Sequence, residues 1–124
     1  SIACGVSVAP FIKKLCGMLK EKYYNLLKSG KKDIELRLYD DKRKLIQIGD
    51  MIEFANFSDS RNTFCAEVVA LHRAADFATL CQKIDCRRAG MESPEELIKV
   101  LAEFYPAERQ KEFGVVGIEI KREE

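Results

Sequence analysis

The sequence predicts an α+β domain built on a curled antiparallel sheet, and three observations carry that class. Residues 34–39 alternate strictly between apolar and polar side chains. The strand-like runs are separated by long excursions rather than by a regular strand–helix repeat. Helical patterning is grouped at the start of the chain and ahead of the last apolar run, and no internal repeat is visible.

Through Phe11, Ile12, Leu15, Leu19, Leu26 and Leu27 the apolar spacing is helical up to Lys28-Ser29-Gly30, where a basic last turn followed by glycine is a stop signal. Gly17 weakens the middle, leaving two readings: one helix, or an irregular segment ahead of a helix from about Met18. Residues 1–17 accordingly read as an N-terminal extension, helical in the first reading, and residues 18–124 as a single domain. In Ile34-Glu35-Leu36-Arg37-Leu38-Tyr39 the alternation puts Ile34, Leu36 and Leu38 on one face and Glu35, Arg37 and Tyr39 on the other. After the charged turn 40–44, Ile46-Gln47-Ile48-Gly49-Asp50 is expected to be a short strand and turn leading into Met51-Ile52-Glu53-Phe54.

The polar run 56–62 ends that strand. Residues 63–72 are expected to return beside it as the long arm of an antiparallel hairpin. Helical patterning resumes over 76–84. A stronger helix starts at Ser93-Pro94-Glu95-Glu96, with Ser93 as cap, proline in the first turn and Glu96 closing a capping box. Leu97, Val100, Leu101 and Phe104 then mark its buried stripe. Residues 106–113 suggest one more short helix, and 115–121 a closing strand. Gly49 and Gly117 fall where bends or bulges would help the sheet curl.

A chain of 124 residues with 47% hydrophobic and 33% charged residues supports one core and excludes collagen-like, low-complexity and wholly disordered classes. Its apolar stretches are broken well short of the roughly 18 to 20 residues that a bilayer span needs, and residues 1–5 show no basic flank ahead of an apolar run. A cytoplasmic protein without a membrane partner is the expectation. Five cysteines without a C-x-x-C pair, and His72 alone, offer no zinc spacing. We therefore expect buried thiols, no metal and no cofactor.

The net charge of +1 hides an asymmetry. Residues 1–44 hold eleven Lys and Arg against five Asp and Glu, a net of +6, and the rest of the chain is −5. The basic part contains Gly30-Lys31-Lys32-Asp33-Ile34-Glu35-Leu36-Arg37. Strand alternation aims Glu35 and Arg37 from one face, about 7 Å apart, with Lys32 at the lip of the preceding loop. Two cations flanking a carboxylate can hold a phosphate or a planar base; the plainer alternative is an exposed Glu–Arg pair on a solvated sheet face. Arg43 lies in the same basic zone, and His72-Arg73 ends a strand. Tyr24, Tyr39 and Tyr105 are aromatic candidates for stacking or for the core.

The order Gly30-x-Lys32-x-x-Glu35-x-Arg37, then Gly49-Asp50-x-Ile52-x-Phe54, then Gly114-Val115-Val116-Gly117-Ile118-Glu119-Ile120 resembles the ASCH domain family of the PUA-like superfamily over residues 18–121. That resemblance implies a PUA-like curled antiparallel β-barrel with surrounding helices and a cleft for RNA or a small nucleoside or nucleotide. The residues expected to form the cleft are Lys31, Lys32, Glu35, Arg37, Arg43 and Tyr39. Some ASCH proteins similar to this one are amidohydrolases acting on N4-acetylated cytidine. They use a lysine at the position of Lys32, a threonine three residues on and a glutamate before the late helix. Here position 35 is Glu rather than Thr, and Glu92 is the glutamate near the third place, in an open register. The regions Phe57-x-Asp59, Phe64-Cys65-x-x-Val68 and Phe104-Tyr105-Pro106 also look similar to those enzymes.

Three functions follow from this reading. In a binding module, Lys32 and Arg37 contact phosphate or base oxygens, while Glu35 accepts from a base amino group or orients Arg37. In an amidohydrolase, Lys32 and Glu35 are the catalytic candidates, and Lys32 must be available unprotonated through burial or neighbours such as Lys31. The third function is a coactivator-like surface for protein partners.

Overall fold

The computed structural model describes residues 12–14, 21–91 and 93–122. Along the chain run β1 (Ile12–Lys14), α1 (Glu21–Ser29), β2 (Ile34–Leu38), β3 (Met51–Ala55), β4 (Thr63–Ala74), α2 (Phe77–Lys83), α3 (Pro94–Phe104), α4 (Ala107–Phe113) and β5 (Val115–Arg122). Short 3-10 turns at Arg43–Leu45 and Cys86–Ala89 join them. The sheet order is β1-β3-β4-β5-β2. Four strands are antiparallel, and β1 adds a parallel edge beside β3, with Ile12 opposite Met51. This is an α+β domain with a curled, half-barrel sheet of the PUA-like kind.

The two faces of the sheet bury separate sets of side chains. On one, Ile52, Phe54, Phe64, Val68, Val116 and Ile118 close over Tyr24 and Leu27 of α1. On the other, Ile34, Leu36, Leu38 and Val115 pack against Phe77, Leu80, Leu97 and Leu101 of α2 and α3. Glu35 stands opposite Ile118 and Arg37 opposite Val116. Directly paired residues share a face, so Glu35 and Arg37 leave β2 on the side opposite to Ile34, Leu36 and Leu38. The polar positions of β2 are covered as well, so the plainer alternative of an exposed Glu–Arg pair on a solvated face is not realised: Glu35 is 4% exposed.

Several expectations change in detail. The helical reading through Phe11 and Ile12 fails at Ile12–Lys14, which is strand, while α1 begins at Glu21; the rest of residues 1–17 lies outside the described residues. Ile46-Gln47-Ile48 is not a strand. The Asp50 carboxylate accepts from Gln47 N at 2.8 Å, and Asp50 N donates to Gln47 O at 3.0 Å, closing a tight turn in its place. The sheet irregularity sits between Val68 and Ala70, where β4 carries an extra residue against β5, rather than at Gly117. Gly117 faces Leu36 in the β2–β5 ladder, and a Cβ there would lie 3.1 Å from Ile34 Cγ2.

The helix signals are realised where capping chemistry dictated them. Asp76 accepts from Thr79 N at 2.7 Å to start α2, and Ser93 accepts from Glu96 N at 3.2 Å to start α3 behind Pro94. Phe104, expected on the buried stripe of α3, is instead 50% exposed. Cys65 is disulfide-bonded rather than a thiol, whereas Cys81 and Cys86 are free. No helix among the described residues is long and apolar enough to cross a membrane.

Candidate functional site

The end of α1 builds the first wall of the site. Gly30 adopts φ +83°, the left-handed conformation that closes a helix, and donates to Leu27 O, while Lys32 N donates to Leu26 O at 3.0 Å. The chain turns back under α1 and carries the Lys32 side chain inward. On the far side, Gly90 at φ +94° leaves room for the lysine stem: a Cβ there would lie 3.3 Å from Lys32 Cδ. Asp33 fastens this loop. It accepts from Arg88 Nε at 3.0 Å and from a terminal Arg88 nitrogen at 2.8 Å, and Asp33 N donates to Arg88 O. The same guanidinium reaches Glu119 at 3.0 Å, and Glu119 faces His72 Nε2 at 2.8 Å.

Lys32, Glu35 and Arg37 then meet. Lys32 Nζ is 2.8 Å from Glu35 Oε1, and Arg37 approaches Glu35 Oε2 through Nε at 3.0 Å and a terminal nitrogen at 2.8 Å. Arg37 also donates to the Tyr105 hydroxyl, and Lys32 Nζ lies 5.1 Å from the centre of the Tyr23 ring. Burial alone would push the Glu35 carboxyl up, but the charges and hydrogen bonds of Lys32 and Arg37 outweigh it and hold the carboxyl below its ordinary range. Burial also opposes the Arg37 charge, and Glu35 more than compensates. The Tyr23 phenol is pushed up, first by burial and then by Glu96, Glu35 and Glu103, so it stays a neutral hydroxyl.

These groups line a cavity of about 190 Å³. Its other wall is apolar: Ala89 and Met91, then Leu97, Val100, Leu101 and Phe104 along one stripe of α3. Tyr23 and Tyr105 complete the lining. Tyr105 is fixed by its ring contact with Phe77, at 5.6 Å between centroids, and by its carbonyl, which accepts from Gln110 Nε2 at 2.8 Å. The volume falls below the ~300 to 1,000 Å³ of clefts that take drug-sized ligands.

The remaining candidates sit elsewhere. Lys31 is exposed and does not line the cavity. Tyr39 packs against the first core set, with the Arg73 guanidinium 3.9 Å from its ring centre. Arg43 is held by Asp40 at 3.1 Å. Tyr24 is fully buried, its hydroxyl donating to Asn62. His72 belongs to the Glu119 pair rather than to the cavity. Glu92 lies outside the described residues.

Sequence reasoning passed over Tyr23 and Met91. Consecutive helical positions point about 100° apart, so of the pair Tyr23-Tyr24 one ring enters the core and the other lines the cavity. Met91 follows a left-handed glycine, a local cue that the backbone turns there. Among the described residues, no group of three or more His, Cys, Asp and Glu is placed to hold a metal ion.

The ASCH domain family model matches residues 18–124. The crystal structure of the hypothetical protein PH0355 is similar over 91% of this chain and 100% of its own, with 35% identity and a TM-score of 0.77. The solution NMR structure of protein PF0455 from Pyrococcus furiosus is similar over 92% and 99%, with 34% identity and a TM-score of 0.70. No curated protein matches the chain. With a family match across nearly all of the sequence and structural relatives above 30% identity over their whole lengths, the chain belongs to the ASCH domain family.

Proposed function

We propose that the cavity binds a single base, of a nucleoside, a nucleotide or single-stranded RNA, with no membrane or metal involved. The observation that carries this reading is the meeting of Lys32, Glu35 and Arg37 on one wall of a small cavity whose opposite wall is apolar and whose lining includes three aromatic rings. Fixed donors recognise the heteroatoms of a ring edge, and apolar and aromatic side chains cover its faces. The +6 charge of residues 1–44 supports a nearby phosphate on the same ligand. The size of the cavity argues for one base rather than a duplex.

Glu35 orients the two cations in this scheme. With an ion pair on each oxygen it is a poor proton acceptor, and Lys32 is engaged as the ammonium partner of that carboxylate. Neither arrangement favours the amidohydrolase reading, which also lacks the threonine at position 35. Titration with uridine 5′-monophosphate and a short single-stranded RNA tests the binding reading. Lys32→Met, which keeps the buried stem and removes the donor, is expected to weaken binding by about tenfold or more. Lys31→Ala is expected to stay within about twofold, as an exposed charge outside the cavity does. Equal losses in both variants would assign the ligand to the basic surface instead.

A further inference from the structure

We infer that Phe104 is the stacking residue of the cavity, its ring lying against a face of the bound base at the mouth; this rests on the base-binding reading above. A single exposed phenylalanine on an open surface needs no explanation. Phe104 differs because it borders a cavity. It lines the same space as Lys32, Glu35 and Arg37, yet 50% of its surface stands in water, so it occupies the rim. The other aromatic lining residues, Tyr23 and Tyr105, are half-buried, and Leu97 and Leu101 are buried.

The helix sets this position. Leu97, Val100, Leu101 and Phe104 follow one another at helical spacing along one stripe of α3. The first three pack in or against the second core set, whereas Phe104 joins neither set. Phe104 is the last residue of α3, and the backbone just beyond it is held on both sides: Tyr105 N donates to Leu101 O at 2.8 Å, and Tyr105 O accepts from Gln110 Nε2 at 2.8 Å. The Phe104 ring lies 6.5 Å from that of Tyr105, with the two planes 52° apart. A ring kept partly in water on a fixed backbone gains when a flat ligand displaces that water. Every base has a π-face, so stacking of this kind does not depend on which donors and acceptors the base carries. Phe104 thus supplies affinity independently of how Lys32, Glu35 and Arg37 read the edge of the ring.

The experiment is calorimetric titration of the full chain, as the parent, Phe104→Leu and Phe104→Tyr, with uridine 5′-monophosphate and a short single-stranded RNA. Leucine keeps an apolar side chain at the rim and removes the ring, and is expected to weaken binding by about tenfold. Tyrosine keeps the ring and is expected to stay within about twofold of the parent. Parent-like affinity in Phe104→Leu, or equal losses in the two variants, overturns the stacking role and leaves the base-binding reading in place. Failure of the parent to bind either probe overturns that reading and the inference with it. The chain contains no tryptophan, so Phe104→Trp places a single indole at the rim. Its emission is expected to be quenched saturably by uridine 5′-monophosphate, with the midpoint that calorimetry gives for the same variant. Binding by calorimetry with unchanged emission would contradict the inference.

Discussion

Lys32 Nζ lies 2.8 Å from Glu35 Oε1, and each side chain is 6% exposed. Two charges this deeply covered persist only when each has a partner, because removing either from water costs several kcal/mol. Arg37 is the third member, and it makes the assembly asymmetric: Glu35 serves two cations, and each cation depends on Glu35. The stability of the fold and the electrostatics of the cavity are therefore tied to one carboxylate.

Glu35→Ala is predicted to destabilise the protein by about 3 to 5 kcal/mol, the cost of leaving buried charge uncompensated. Lys32→Met is predicted to cost clearly less, since Glu35 keeps both of its contacts to Arg37. Urea unfolding of the two variants beside the parent protein checks the order. A Lys32→Met protein less stable than Glu35→Ala would show that Arg37 alone does not satisfy the carboxylate.

Acid should act through the same group. The Glu35 carboxyl sits below its ordinary value of 4.5 in the folded protein, despite burial, because Lys32 and Arg37 favour its charge. A depressed folded value means that its contribution is fully present above pH 4.5 and is lost as pH falls through the folded value. Glu119, held low chiefly by its hydrogen bond with His72, adds a loss of the same sign. The unfolding midpoint should drop from pH 7 to pH 3 by more in the parent than in Glu35→Gln, whose side chain does not titrate. Parallel profiles would mean that Glu35 is not the carboxylate responsible.

The clamp between Asp33 and Arg88 predicts a local effect. Arg88 holds the Asp33 carboxylate through two nitrogens, and the Asp33 amide donates to the Arg88 carbonyl at 3.0 Å. Arg88→Met should speed hydrogen exchange at the Asp33 and Lys32 amides while leaving that of Val68 and Ile118 in the sheet unchanged. Uniform acceleration across the sheet would assign Arg88 a global role instead.

Close approach between β5 and β2 makes Gly117 a packing residue. A methyl group there would meet Ile34 Cγ2 at 3.1 Å, Leu36 Cδ2 at 3.5 Å and Leu80 Cδ2 at 3.6 Å. Gly117→Ala is predicted to cost about 1 to 3 kcal/mol as overpacking, read as a lower thermal midpoint. A neutral result would mean that the Ile34 side chain can move aside at little cost.

Much of the fold was legible where a local rule and the tertiary outcome coincide. Ser93-Pro94, Asp76 and Gly30 mark helix ends through short-range hydrogen bonds, and residues 34–38 alternate because the strand has two faces. Ile46-Gln47-Ile48 misleads because its apolar–polar–apolar pattern mimics a strand, while Asp50 closes a turn that no period reveals. The motif residues Lys32, Glu35 and Arg37 were visible as a spacing. Their burial was not, because it depends on α3, distant in sequence, closing over them from the side opposite the loop that leaves α1. Tyr23, Phe104 and Tyr105 enter the cavity for the same reason, and Tyr39 and Arg43, close to the motif in sequence, are drawn to other partners.

The central claim is that the ligand enters the cavity between β2 and α3 rather than coating the basic surface. Amide chemical shifts followed by NMR during titration with uridine 5′-monophosphate test it most directly. The largest changes are expected at Lys32, Glu35, Arg37 and Tyr105. Changes confined to Lys28, Lys31 and Arg87, with the cavity amides unmoved at saturation, would contradict it.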